Sequence, residues 1–101
     1  MKYGLKTEDF DFLFTNLIQP LKNMGAQVYL FGSRATGKYQ VFSDIDLLFL
    51  APTDKNISQA TISQLMLALE DSTFVYKVDL VNYSQLATSY KKTVDREKIE
   101  L

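Results

Sequence analysis

The chain contains no cysteine and no histidine. Without cysteine there is no disulfide framework, no thiolate nucleophile and no zinc site built on sulfur. Without histidine the commonest general base is missing, and so is the Ser-His-Asp triad. Any chemistry must use carboxylates, lysine, arginine, serine and tyrosine, which makes a metal ion held by oxygen ligands the natural catalytic device. An excess of charge of one sign is also lacking, with 11 basic against 12 acidic residues and a net charge of −1. No broad basic field is available, so long nucleic acid and an anionic membrane surface are not expected partners. A bound nucleotide would need a local site. No stretch approaches 18 uninterrupted apolar residues, so no membrane span is expected. The opening MKYGLKTEDFDFLF carries acidic residues within its apolar segment, unlike a signal peptide. The expected location is the cytoplasm.

At 101 residues and 47% hydrophobic content, the chain has the makings of one domain, residues 1–101, with a real core. Residues 7–24 read as a helix, with Phe10, Leu13, Phe14, Leu17, Leu21 and Met24 at spacings of three and four. Glu8 and Asp9 suit its first turn, and Gly25 its end. Pro20 predicts a kink or break just before it. VYLF (28–31) reads as a buried strand and DIDLLFL (44–50) as a second. ISQATISQLMLALE (57–70) reads as an amphipathic helix and VYKVDLVNY (75–83) as a third strand. A last helix is expected from Ser84, a good N-cap, with a charged tail TVDREKIEL that frays or packs through Ile99 and Leu101. The order predicts an α+β (α/β) fold: a small mixed β-sheet with flanking helices, expected on one face.

Within DIDLLFL, residues two apart share a strand face, so Asp44 and Asp46 lie together and Ile45, Leu47 and Phe49 point toward the core. Two like charges on one face repel, and a divalent cation between them removes the conflict. A lone Asp-x-Asp is more often an idle, solvated pair. Asp79, inside the apolar run VYKVDLV, raises the odds: if its strand neighbours the first, three carboxylates converge. Two-metal phosphoryl or nucleotidyl transfer needs such a set. Lys77 shares Asp79's face, so an ordinary salt bridge is the plain alternative. Upstream, the Gly32-Ser33 pair of GSRATG is either a simple turn or a place where phosphate approaches the backbone, with Arg34 or Lys38 adding charge.

Gly32-Ser33, ten residues (34–43), Asp44-Ile45-Asp46 and then Asp79 together resemble the nucleotidyltransferase signature of the DNA polymerase β-like superfamily. LFGSRATG…SDIDLLF followed by VDLV looks more narrowly like the minimal nucleotidyltransferases (MNT) of prokaryotes. Those proteins act as antitoxins beside a helical HEPN-domain partner. The resemblance spans roughly residues 10–90, though the closing REKIEL lacks the Gly-containing, apolar-aromatic finish common in the family. It implies the polymerase β-like fold, two Mg²⁺ ions held by Asp44, Asp46 and Asp79, and ATP held at Gly32 and Ser33. It further implies transfer of AMP to a tyrosine of the HEPN RNase, within a hetero-oligomer. The same three aspartates serve as the catalytic set.

The alternative is a nucleotide-binding regulatory subunit, catalytically weak, that inhibits its partner by complex formation. Three mutually repelling carboxylates favour the enzyme. A glycosyltransferase also uses Asp-x-Asp, but the short chain and the Gly-Ser spacing speak against it. A plain interaction domain would gain no thermal stability from Mg²⁺–ATP, whereas a ligand of the folded state at 100 times its Kd adds about 2.7 kcal/mol.

Overall fold

The computed structural model describes residues 1–101. The first helical segment starts as α1 (Thr7–Leu13), widens into a π-helical turn (Phe14–Ile18) and resumes as α2 (Gln19–Asn23). Pro20 explains the widening: it has no N–H to donate to the carbonyl four residues back, and a π turn absorbs the missing bond without a sharp kink. The extra residue also turns Ile18 inward beside Leu13, Leu17 and Leu21, while Met24 falls to the surface. Gly25 ends the segment at φ 90°.

β1 (Gln27–Phe31) leads into the short α3 (Ser33–Thr36), and a loop then delivers β2 (Ile45–Leu50). The crossover helix α4 (Gln59–Glu70) is capped by Ser58, whose Oγ accepts from Thr61 N–H at 3.1 Å. β3 (Val78–Asn82) follows and is shorter than the expected 75–83 strand. Phe74 and Tyr76, just before it, are taken up in aromatic contacts with Phe12 and Phe42, at 5.7 and 6.0 Å between ring centres.

The sheet order is β3-β2-β1, with β4 (Ile99–Glu100) on the far side of β1. β1 pairs antiparallel with β2 and β4, and β2 pairs parallel with β3, so the sheet is mixed. The charged tail therefore neither frays nor simply packs: it adds an edge strand, and Leu101 N–H donates to Val28 O at 3.0 Å.

The two sheet faces are both covered. Val28, Leu30, Ile45, Leu47, Phe49 and Val78 form the larger core with the first helical segment and with Ile62 and Leu69 of α4. The opposite face carries Phe31 and Leu48, packed against Val94 of α5 (Thr88–Glu97). The expectation of helices on one face is corrected here, as is the helix start at Ser84. Asn82 accepts from Ser84 N–H and closes a 3-10 turn, Tyr83–Gln85, which carries the chain around the sheet edge before α5 begins. α5 is tied down by a polar cluster. Tyr83 Oη donates to both Asp95 carboxylate oxygens at 2.9 Å, and Lys98 Nζ donates to Asp95 at 2.6 Å. The hydrogen bonds from Lys98 and Tyr83 hold the Asp95 carboxyl below its usual range, and Asp95 pushes both Tyr83 and Lys98 up. No helix is long and apolar enough to cross a membrane.

Candidate active site

The loop after β1, the start of β2 and the start of β3 meet at one end of the sheet. In the parallel pairing, Asp46 is directly in register with Asp79; in the antiparallel pairing, Asp46 faces Phe31, the residue before Gly32. Strand alternation turns Ile45 and Leu47 into the larger core and leaves Asp46 and Asp79 on the α5 face. Asp44 lies just before β2, not within it, and is more exposed.

Gly32 is essential to this closeness. Its φ is 75° and ψ −157°, a region essentially reserved for glycine. A Cβ built there would overlap Asp46 Oδ2 and sit 3.1 Å from Asp46 Cγ. Backbone strain alone makes Gly32→Ala cost about 1–3 kcal/mol, and the methyl must also push the Asp46 carboxylate from its place. We expect a lower Tm. Scanning calorimetry checks this; a variant matching the parent would contradict the close approach.

The carboxylates are poorly compensated. Burial first, then the charges of Asp79 and Asp44, push the Asp46 carboxyl above its usual value, against a smaller opposing pull from Lys77. Lys77 Nζ stands 3.9 Å from both Asp44 Oδ2 and Asp79 Oδ1. The salt bridge weighed from the sequence is thus present, but one exposed ammonium serves two carboxylates. No three acidic side chains close on a single point. Asp46 and Asp79 form the tight pair, and Asp44 flanks them across Lys77.

The other two basic residues singled out from the sequence part company. Arg34 is 2% exposed. Its Nη1 donates to Tyr3 O at 2.9 Å, its Nε and Nη2 to Ser43 O at 3.1 and 2.9 Å, and its Nη2 to Val41 O at 3.1 Å. Its guanidinium also lies against the rings of Tyr39 and Tyr76, at 5.4 and 5.2 Å. These contacts brace the loop that ends at Asp44, and they leave Arg34 little freedom to turn toward a phosphate. Lys38 is exposed on that same loop and makes no ion pair. Ser33 opens α3 beside Gly32, half-buried.

Between the sheet end and α5 lies an open cavity of about 380 Å³. Gly32, Asp46 and Asp79 form its polar side; Phe31, Val81, Leu86 and Tyr90 form an apolar wall. An apolar wall beside a few convergent polar groups is the usual make-up of a small-ligand site. The sequence reading passed over Tyr90. Its signal was the i,i+4 spacing to Val94, which places both on one face of the last helix.

The family model "Polymerase beta, Nucleotidyltransferase" matches residues 15–101. No curated protein matches the chain by sequence. A solved structure described as a minimal nucleotidyltransferase is 29% identical over 100% of this chain and 97% of its own, with a TM-score of 0.71. A toxin–antitoxin complex with AMP-PNP is 26% identical over 85% of this chain and 69% of its own, with a TM-score of 0.65. The complex of tri-AMPylated Shewanella oneidensis HEPN toxin with MNT antitoxin is alike in fold, at 21% identity over 95% of this chain and 71% of its own, with a TM-score of 0.63. The mixed sheet with flanking helices is the polymerase β-like nucleotidyltransferase fold. With the match covering most of its length, the chain belongs to the polymerase β nucleotidyltransferase family.

Proposed function

We propose that this protein is an Mg²⁺-dependent adenylyltransferase that moves AMP from ATP to a tyrosine of a helical HEPN-type RNase and so silences it as an antitoxin. The observation that carries this is the in-register Asp46–Asp79 pair with Gly32 pressed against Asp46. Further support comes from the AMP-PNP bound in a toxin–antitoxin complex of related sequence. An AMPylated toxin beside an MNT antitoxin adds to it from a neighbour of like fold.

The residues fit a divalent cation. The donors are hard carboxylate oxygens, and one exposed ammonium, Lys77 Nζ at 3.9 Å from both Asp44 and Asp79, is all that offsets them. Asp46 and Asp79, in register on neighbouring strands, would hold it, and Asp44 would join them once Lys77 is displaced. There it would neutralise the triphosphate and make the α-phosphorus easier to attack. Gly32 lets the nucleotide reach the backbone, and Ser33 adds a hydroxyl. Asp79 takes the proton of the attacking tyrosine hydroxyl, beside an apolar wall of Phe31, Val81 and Leu86. The partner surface is best sought around this mouth. Val41 and Phe42 are 72% and 76% exposed on the loop that Arg34 braces, and Val75 is exposed beside Tyr76.

Asp79→Asn separates binding from chemistry. The transfer rate should fall by about 10²–10⁴-fold, the usual range for a lost proton acceptor, while Mg²⁺–ATP binding in calorimetry weakens far less. Equal losses would make Asp79 a metal holder only. The regulatory-subunit reading keeps one point in its favour: Lys77 already sits between Asp44 and Asp79, where a cation would compete with it. Intact-mass measurement of the partner decides between the two. An added adenylyl group, absent with Asp44→Asn, supports the enzyme. Suppressed RNase activity with unchanged partner mass supports the regulator.

A further inference from the structure

We infer that Tyr90 is an acceptor of the protein's own transfer reaction, so that the chain adenylylates itself when no partner tyrosine occupies the site. This rests on the transferase reading above and names a substrate hydroxyl within the chain.

Its placement follows from the packing. Val94 of α5 is buried against Leu48 and Phe31. Four residues back along the helix is a step of about 6 Å on the same face, and two residues back along a strand is a step of about 6.6 Å on the same face. Tyr90 lies one turn before Val94 on that helix face, and Asp46 lies two residues before Leu48 on that strand face, in register with Asp79. Consistently, Tyr90, Asp46, Asp79 and Gly32 line one cavity. α5 holds this alignment because the Tyr83–Asp95–Lys98 cluster ties its last turns to the sheet.

Tyr90 is also free to react. It is 52% exposed, and its hydroxyl makes no hydrogen bond, whereas Tyr83 is committed to Asp95 and Tyr29 to Gln27. Tyr39 and Tyr76 pack against the Arg34 guanidinium. An acceptor fixed in the site needs no encounter, and that advantage favours it over a hydroxyl arriving from solution. In the step, Tyr90 Oη bonds to the α-phosphorus of ATP. The bond from that phosphorus to the bridging oxygen breaks, pyrophosphate leaves with the electron pair, and the phenolic proton passes to the Asp79 carboxylate. No oxidant or reductant is involved.

The test uses the isolated full chain with Mg²⁺ and ATP labelled in the α-phosphate. Intact mass should show one added adenylyl group, and fragmentation should place it on Tyr90. Tyr90→Phe, checked for folding by its Tm, should lose more than nine-tenths of the label, and Asp46→Asn all of it. A chain that binds Mg²⁺–ATP in calorimetry yet stays unmodified overturns the inference and leaves the transferase reading intact. Label on another residue, or undiminished label in Tyr90→Phe, also overturns it. A chain that neither binds nucleotide nor releases pyrophosphate overturns both.

Discussion

Asp46→Asn is expected to abolish metal-dependent transfer, by about 10³-fold or more, while raising the Tm of the metal-free protein. The two effects have one cause. Asp46 stands in register with Asp79, close to Asp44, and is partly withdrawn from water. Its charge is unfavourable, and asparagine keeps the shape while removing that charge. Like charges directly opposite in a sheet cost on the order of half a kcal/mol, which moves the Tm of a domain this size by about 2–4 °C. The pH dependence has a definite sign. Because the folded Asp46 carboxyl titrates above its ordinary value, the native state binds the proton more readily than the unfolded chain. Stability therefore rises as pH falls through the raised value toward the ordinary one, and levels off below it. Asp46→Asn should lack this contribution. Scanning calorimetry across that range, with and without Mg²⁺, checks it. A variant less stable than the parent without metal, or still active with it, would remove Asp46 from the site.

The second large effect is on stability. Arg34→Ala should cost about 3 kcal/mol or more, because hydrogen bonds to a charged group are worth about 1.5–3 kcal/mol each and Arg34 donates several. Three carbonyls, those of Tyr3, Val41 and Ser43, lose their donor together, and the rings of Tyr39 and Tyr76 lose the guanidinium they flank. For a domain of about 100 residues the Tm should drop by more than about 10 °C. Arg34→Lys should recover little, since an ammonium cannot span the three carbonyls as the planar fork does. Urea unfolding gives the number directly. A variant within 1 kcal/mol of the parent would mean the loop is held by something else.

Arg34 also marks where sequence reasoning reaches its limit. Beside Gly32 and Ser33, an arginine reads naturally as a phosphate ligand. That it turns inward depends on carbonyls of Tyr3 and Ser43, one of them far away in the chain, and no local pattern announces such a partner. The strands were legible because VYLF and DIDLLFL are short apolar runs, and the Asp44/Asp46 alternation correctly put Ile45 and Leu47 in the core. Pro20 advertised a break in the first helix, but not that a π turn would absorb it. Ser84 looked like a helix cap because serine caps both helices and turns; the Asn82 side chain took the Ser84 amide into a 3-10 turn instead. β4 was missed because two residues, Ile99 and Glu100, are too few for a periodic signal. That Asp79 would fall in register with Asp46 was conditional on strand order, which is a tertiary fact.

The parallel pairing of β2 with β3 has a kinetic consequence. Asp46 and Asp79 are brought together only after the intervening segment with α4 has crossed and packed, a contact of long sequence separation. β1 and β2, in contrast, are joined by a shorter connection and pair antiparallel. If the β2–β3 register forms late, the folding transition state holds no complete carboxylate pair, and a ligand of that pair stabilises only what lies beyond the barrier. Saturating Mg²⁺–ATP should then leave the refolding limb of the chevron where it is and lower the unfolding limb by the whole binding contribution. An accelerated refolding limb would mean that the carboxylates meet early. If the register forms late and ATP binds as proposed, the nucleotide acts as a brake on unfolding, and the half-life of the native state becomes the quantity that a cell's ATP level sets.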